Sequence, residues 1–181
     1  KNSSVLLNSQ DEIFTDWVDF TPVWTVDGSG TGNTPPTNTD YSIWRWRRNG
    51  CNMEIFVDVI YTNAGSNGSG TYTLQLPPGY SMDTSRLALA SKTVASSVGS
   101  GLWNNNTTKD NDIWVRPYNS TNLFFTYAGG ANYVSGGTGF ASGNWRMTFQ
   151  ASVPIAGWTS TFNPVLSMPL VDFGSFENTY S

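Results

Sequence analysis

One stretch limits the possible folds more than any other: Tyr41-Ser-Ile-Trp-Arg-Trp-Arg-Arg-Asn-Gly-Cys-Asn-Met-Glu-Ile-Phe-Val-Asp-Val-Ile-Tyr61. Runs of β-branched and aromatic residues flank Asn49-Gly50. An Asn-Gly pair in that setting is the strongest short-range hairpin signal, because both turn positions take a positive φ that Asn tolerates and Gly accepts freely. A loop at Asn49-Gly50 sets a register with Trp46 opposite Met53, Arg45 opposite Glu54, Trp44 opposite Ile55, Ile43 opposite Phe56 and Ser42 opposite Val57. Alternation then gathers Trp44, Trp46, Met53, Ile55, Val57 and Val59 on a core face, and Arg45, Arg47, Asn52, Glu54 and Asp58 on the other. Arg45 and Glu54 form a cross-strand charge pair worth ~0.2–1 kcal/mol. Ile43, Phe56 and Ile60 interrupt the polar face, so part of it is expected to be covered.

The rest of the chain agrees with a β protein. Its 181 residues fit one domain with a proper core. No segment has the apolar periodicity of an amphipathic helix with start and stop signals, whereas short strand-like runs recur between Gly- and Pro-rich turns. Strands are expected at 20–26, 71–76, 86–98, 113–116, 122–127 and 145–153. Pro22 puts the first of these at a sheet edge or a strand start. The last is the cleanest, with Trp145, Met147, Phe149, Ala151 and Val153 alternating against Arg146, Thr148, Gln150 and Ser152. Loops are expected at 28–36, 63–70, 99–112 and 129–143, the last with Tyr133 and Phe140 embedded. This pattern indicates an all-β fold, an antiparallel β-sandwich that is jelly-roll-like. We place the sandwich at 20–158, after an N-terminal lead-in at 1–19 and before a C-terminal extension at 159–181. That extension is too apolar to hang free, so it is expected on the sandwich or on a neighbouring subunit.

Composition excludes several functions. The net charge is −4, and the one basic cluster is Arg45, Arg47 and Arg48, which is no footprint for nucleic acid. No apolar run approaches the ~20 residues of a membrane helix, so no membrane insertion is expected. Cys51 is the single cysteine, which rules out an internal disulfide and leaves packing or oligomerisation to stabilise the chain. There is no histidine, which removes Ser-His-Asp and Cys-His hydrolysis and the usual zinc sites together. Asp110-Asn111-Asp112 lacks the further oxygens of a calcium loop, and no carboxylate pair stands out for glycosidic cleavage. The chain is therefore expected to be non-catalytic, with no cofactor and no metal.

Sugar binding is the chemistry the residues suit best. It calls for an aromatic face flanked by amides, carboxylates or Arg. Trp103 with Asn104, Asn105, Asn106, Asp110 and Asp112 fits that description, with Trp114, Arg116, Tyr118 and Tyr133 nearby. The same segment also reads as a tryptophan anchoring its own loop among turn-forming asparagines. Strand phase assigns Trp44, Trp46 and Trp145 to the core. Trp158 is either a plug or an interface residue, and Arg47 and Arg48 are expected to pair with the acidic segment 11–27.

Four pieces in order carry a resemblance: Phe20-Thr-Pro-Val-Trp-Thr25, the Trp-Arg-Arg-Asn-Gly hairpin around Arg47 to Gly50, Leu76-Pro-Pro-Gly-Tyr80 and Ala151-Ser-Val-Pro-Ile-Ala-Gly-Trp158. Together they resemble the distal, often C-terminal, β-sandwich domain of tailed-bacteriophage tail fibre and tailspike receptor-binding proteins. Residues 91–143 carry no part of the likeness. The resemblance implies an extracellular virion domain that assembles as a homotrimer with other virion proteins. It also implies contact with host-surface polysaccharide or lipopolysaccharide, or decoration of the particle. No catalytic residue comes with it, because the matching motifs are turns and core strands. A trimeric capsid decoration protein, or a carbohydrate-binding module of a secreted bacterial enzyme, are the competing expectations.

Overall fold

The computed structural model describes residues 13–27, 37–63, 71–89, 96–104, 110–127 and 145–159. The start of the lead-in, Asn105, Asn106, the Gly-rich segment with Tyr133 and Phe140, and the C-terminal extension beyond 159 lie outside these residues. Among the described residues the strands are β1 (Val18–Asp19), β2 (Trp24–Asp27), β3 (Thr37–Asn49), β4 (Asn52–Asn63), β5 (Thr71–Gln75), β6 (Gly99–Asn104), β7 (Asp110–Pro117), β8 (Asn122–Tyr127) and β9 (Trp145–Pro154). The fold is all-β, and every strand pair is antiparallel. The strands make one nine-stranded sheet in the order β1-β3-β4-β9-β6-β7-β8-β5-β2.

The chain's own length shows that this sheet is curled. β1 and β2 are consecutive in sequence yet occupy opposite edges. Phe20 still donates its N–H to Trp44 O on β3 at 3.0 Å, and Val23 O already accepts from Gln75 N on β5 at 2.9 Å. Flat, the two edges would stand about 38 Å apart at eight strand spacings. The three Cα steps from Phe20 to Val23 reach at most about 11 Å. The sheet must therefore roll until its edges meet, and Pro22, which has no N–H to satisfy, sits in the crossing.

One residue closes the seam from inside. Trp24 on β2 donates Nε1–H to Tyr61 Oη on β4 at 2.8 Å, and its ring meets Trp44, Tyr72 and Phe125 with centroids 5.9–6.4 Å away. Burial pushes the Tyr61 hydroxyl up to about 12, against a smaller downward pull from Trp24. Met53, Val57, Val59, Leu74, Ile113, Val115, Leu123, Met147 and Phe149 fill the space around this cluster. The alternation expected of β9 is present, with Trp145, Met147, Phe149, Ala151 and Val153 all buried.

The hairpin forms, but its turn is one residue later than expected. Asn49 faces Asn52 and the turn residues are Gly50, at φ 63°, and Cys51. The opposed pairs are therefore Trp46–Ile55, Trp44–Val57 and Arg47–Glu54. A primed turn needs positive φ at its first central position, and Gly50 fills that position. Asn49 stays in the strand, where its side-chain amide donates to Glu54 Oε1. The lead-in holds the same end, with Gly50 N–H donating to Ile13 O at 2.7 Å and Arg48 N–H to Thr15 Oγ1 at 2.8 Å. A shift of one in the turn moves each partner by two, so the two faces keep their residues. The ion pairs do change. Arg47, not Arg45, bonds Glu54 at 2.6 Å, and Arg45 reaches Asp19 of the acidic lead-in at 2.8 Å. Arg48 is buried and donates to Gly50 O and Thr159 O, and Arg47 pairs with Glu54 of its own hairpin where an acid of the lead-in was expected; Asp11 and Glu12 lie outside the described residues.

A second expectation is reversed between 86 and 112. Thr84–Arg86 is a short 3-10 turn, and the described residues near 86–98 form no strand, whereas 99–104 and 110–117 pair as a hairpin. Glycine content suggested a loop at 99–112. Instead Gly99 and Gly101 let β6 approach β9 more closely than any side chain allows: a Cβ on Gly101 would collide with Thr148 O and lie 2.6 Å from Phe149 Cα.

Candidate functional site

Three of the four motifs that carry the resemblance meet at one corner. Leu76-Pro-Pro-Gly-Tyr80 ends in a turn with Gly79 at φ 90° and Tyr80 N–H bonded to Pro77 O. Ile155 to Trp158 repeats that geometry with Gly157 at φ 81° and Trp158 N–H bonded to Ile155 O. Pro or Ala followed by Gly at positive φ suits a type II turn. The two turns are tied together by Ala156 N–H donating to Ser81 O at 2.9 Å. Tyr80 and Trp158 then pack with Trp46 at centroid distances of 4.9–6.3 Å, and Arg48 caps Trp158 at 4.8 Å. Trp158 acts here as a plug. A smaller open pocket of about 270 Å³ lies at this corner, bordered by the half-buried Tyr80 and Trp158.

The outer face of β3, β4, β9, β6 and β7 is different. Registered partners run across it in rows, one being Arg45–Phe56–Gln150–Ser100–Trp114. Directly opposed residues share a face, so these side chains line up across five strands. An open groove of about 520 Å³ lies over the row, bordered by Trp17, Arg47, Glu54, Phe56, Val98, Ser100, Gln150 and Ser152. Trp17 comes from the lead-in and keeps 41% of its surface exposed. The Arg47 guanidinium lies 4.6 Å from the centre of its ring and donates Nε–H to Glu54 at 2.6 Å. Glu54 is held below the usual carboxylate range, mainly by the Asn49 amide and further by Arg47, so it is an ionised acceptor. Phe56 is a half-buried aromatic within this row, between Arg45 and Gln150.

An aromatic ring, an amide, hydroxyls and a fixed Arg–carboxylate pair converge on one groove, the mix that orients a sugar. Glu54 is the one carboxylate among the described lining residues, whereas glycoside cleavage uses two, about 5–10 Å apart.

The residues singled out in sequence are divided between the two faces. Trp103 is 1% exposed in the core, against Tyr127 at 5.9 Å, and so presents no ring face to a ligand. The reason is β6 itself: as a strand, not a loop, it turns Trp103 inward and Leu102 outward. Asn104 ends that strand, half-buried, opposite Asp110 and Arg146. Asp112 is exposed on the outer face opposite Leu102. Trp114 is on the same outer face, 37% exposed, with the Arg116 guanidinium 4.8 Å from its ring centre. Arg116 is itself buried and donates to Thr126 Oγ1 at 3.2 Å. Tyr118 packs edge-on against Phe124 at 6.0 Å. Asn105, Asn106 and Tyr133 lie outside the described residues. Trp17 and Phe56 were missed. The signal was the apolar break in the hairpin's polar face at Phe56, together with aromatics recurring in an acidic lead-in.

Comparison with known protein families, curated proteins and solved structures finds no match for this chain.

Proposed function

We propose that this chain is a non-catalytic carbohydrate-recognition domain, of the kind that tips phage tail fibres and spikes, and that it binds host-surface polysaccharide in the outer groove. The observation that carries this reading is the groove itself: Trp17 held by Arg47 over a floor of Phe56, Gln150 and Ser100. The four-motif resemblance supports the virion setting, an extracellular site of action and a homotrimer. The test is calorimetric titration of the purified protein with envelope polysaccharide and lipopolysaccharide fractions. Trp17→Ala should weaken binding about tenfold, near 1.4 kcal/mol, at unchanged melting temperature. Failure to bind any fraction would reject the reading.

A second reading, a structural virion protein such as a trimeric capsid decoration protein, is favoured by a specific observation. Phe14, ahead of the edge strand β1, and Val18, within it, are 70% and 45% exposed, apolar surface at a sheet edge that suits assembly. Stable trimers that attach to particles and ignore every glycan would favour it.

A further inference from the structure

The outer face carries a charge pattern and an aromatic spacing that narrow the ligand. We infer that it takes an uncharged polysaccharide, bound extended across the strands from Trp17 to Trp114. The inference rests on the glycan-binding reading above and adds the chemical class, length and direction of the ligand.

Charge comes first. Arg47 and Glu54 are the only formally charged residues among the described lining of the groove, and they bond each other at 2.6 Å. The cations beside them are matched in the same way: Arg45 with Asp19 at 2.8 Å and Arg146 with Asp58 at 2.9 Å. All three pairs stand on this one face; with Arg116 beneath Trp114 and the exposed Asp112, its described cations and acids balance four to four, so the face is rich in hydrogen-bonding groups without a net charge. An anionic polymer would meet arginines whose charge Glu54, Asp19 and Asp58 already neutralise, and it would also meet the exposed carboxylate of Asp112. Hydroxyl groups can bond to the same atoms with every pair intact.

Spacing comes second. Trp17 and Trp114 are built alike, each with an arginine on its ring, Arg47 fixed by Glu54 and Arg116 by Thr126. A ring held in this way loses little freedom when a sugar stacks on its other side. Arg47 stands on β3 and Trp114 on β7, four strand spacings apart, an arc of at most about 19 Å around the rolled sheet. Phe56, Gln150 and Ser100 fill the interval in one registered row. A single pyranose covers one platform, and an oligosaccharide covers both. The row runs perpendicular to the strands, so the polymer crosses them.

The full chain is titrated against an array of neutral and acidic microbial surface polysaccharides, then against a size series of whichever glycan binds. The expected result is a neutral glycan whose affinity changes less than about twofold between roughly 0.05 and 0.5 M NaCl. Affinity should rise about tenfold or more from the disaccharide to the hexasaccharide. Trp114→Ala should remove that gain with the β-sheet dichroism retained, whereas Trp17→Ala weakens both ligands. Binding confined to acidic glycans and lost with salt overturns the inference and leaves the recognition reading standing. So does a neutral glycan bound equally by wild type and Trp114→Ala. Binding to no array member overturns both.

Discussion

Gly101→Ala tests the contact on which the centre of the sheet depends. A Cβ at this position collides with the Thr148 carbonyl and lies 2.6 Å from both Cα and Cβ of Phe149, all on β9. Carbon atoms in contact rest about 3.5–4.0 Å apart, so β6 would have to retreat by about 1 Å. Ladder bonds near 2.9 Å would then stretch toward 3.9 Å, beyond hydrogen-bonding range. Overpacking at ~1–3 kcal/mol, with two weakened ladder bonds at ~0.5–1.5 kcal/mol each, gives a loss of about 2–6 kcal/mol. Urea unfolding followed by tryptophan fluorescence measures this as a lower midpoint at unchanged slope. Ser100→Ala, at the exposed neighbouring position, is the control and should stay within about 0.5 kcal/mol. If Gly101→Ala unfolds within that same margin of wild type, the close approach of β6 to β9 is not what the glycines are for.

Two further outcomes follow from the packing and the charges. Trp158→Ala removes the ring that covers Arg48 and meets Tyr80 and Trp46; a half-buried tryptophan of this kind should cost about 2–3 kcal/mol in a thermal melt, with loss of near-ultraviolet dichroism. Asp58 and Glu54 both have folded-state pKa values below normal, Asp58 chiefly through its bond to Arg146 and then Thr148, Glu54 through Asn49 and Arg47. Their contribution is complete above the ordinary carboxylate range near 4 and is lost as pH falls through the lowered values, so melting temperature should drop on acidification and drop less in Asp58→Asn.

The parts of the fold legible in sequence were those where side-chain period and burial coincide. β9, β8 and β5 follow strict alternation or continuous apolarity, and the structure places them where that pattern does. The face assignment of the hairpin survived an error in its turn because a one-residue displacement preserves strand phase. The ion pairs did not survive it, since they depend on which residue is opposite and not on which face is shared. β6 was illegible for a physical reason. Gly99-Ser-Gly101 has the composition of a loop, and only the neighbouring backbone of β9 shows that its glycines serve a strand. That single misreading turned Trp103 from a core residue into a candidate platform, and it hid the groove. Trp17 could not have been located from its surroundings in sequence, because the strand it covers begins twenty residues later.

The crossing at Phe20 to Val23 also bears on how the chain reaches this state. β1 and β2 cover the two edges of the sheet, but each pairs with a strand made later, β3 and β5. Until those partners are in place, both edges stand open, and open edges are templates for pairing with other copies of the same chain. The first described segment of the chain is thus among the last that can dock, and closure waits on contacts distant in sequence. A nick between Phe20 and Val23 would part the two edge strands from each other and invite edge-to-edge aggregation without touching the interior.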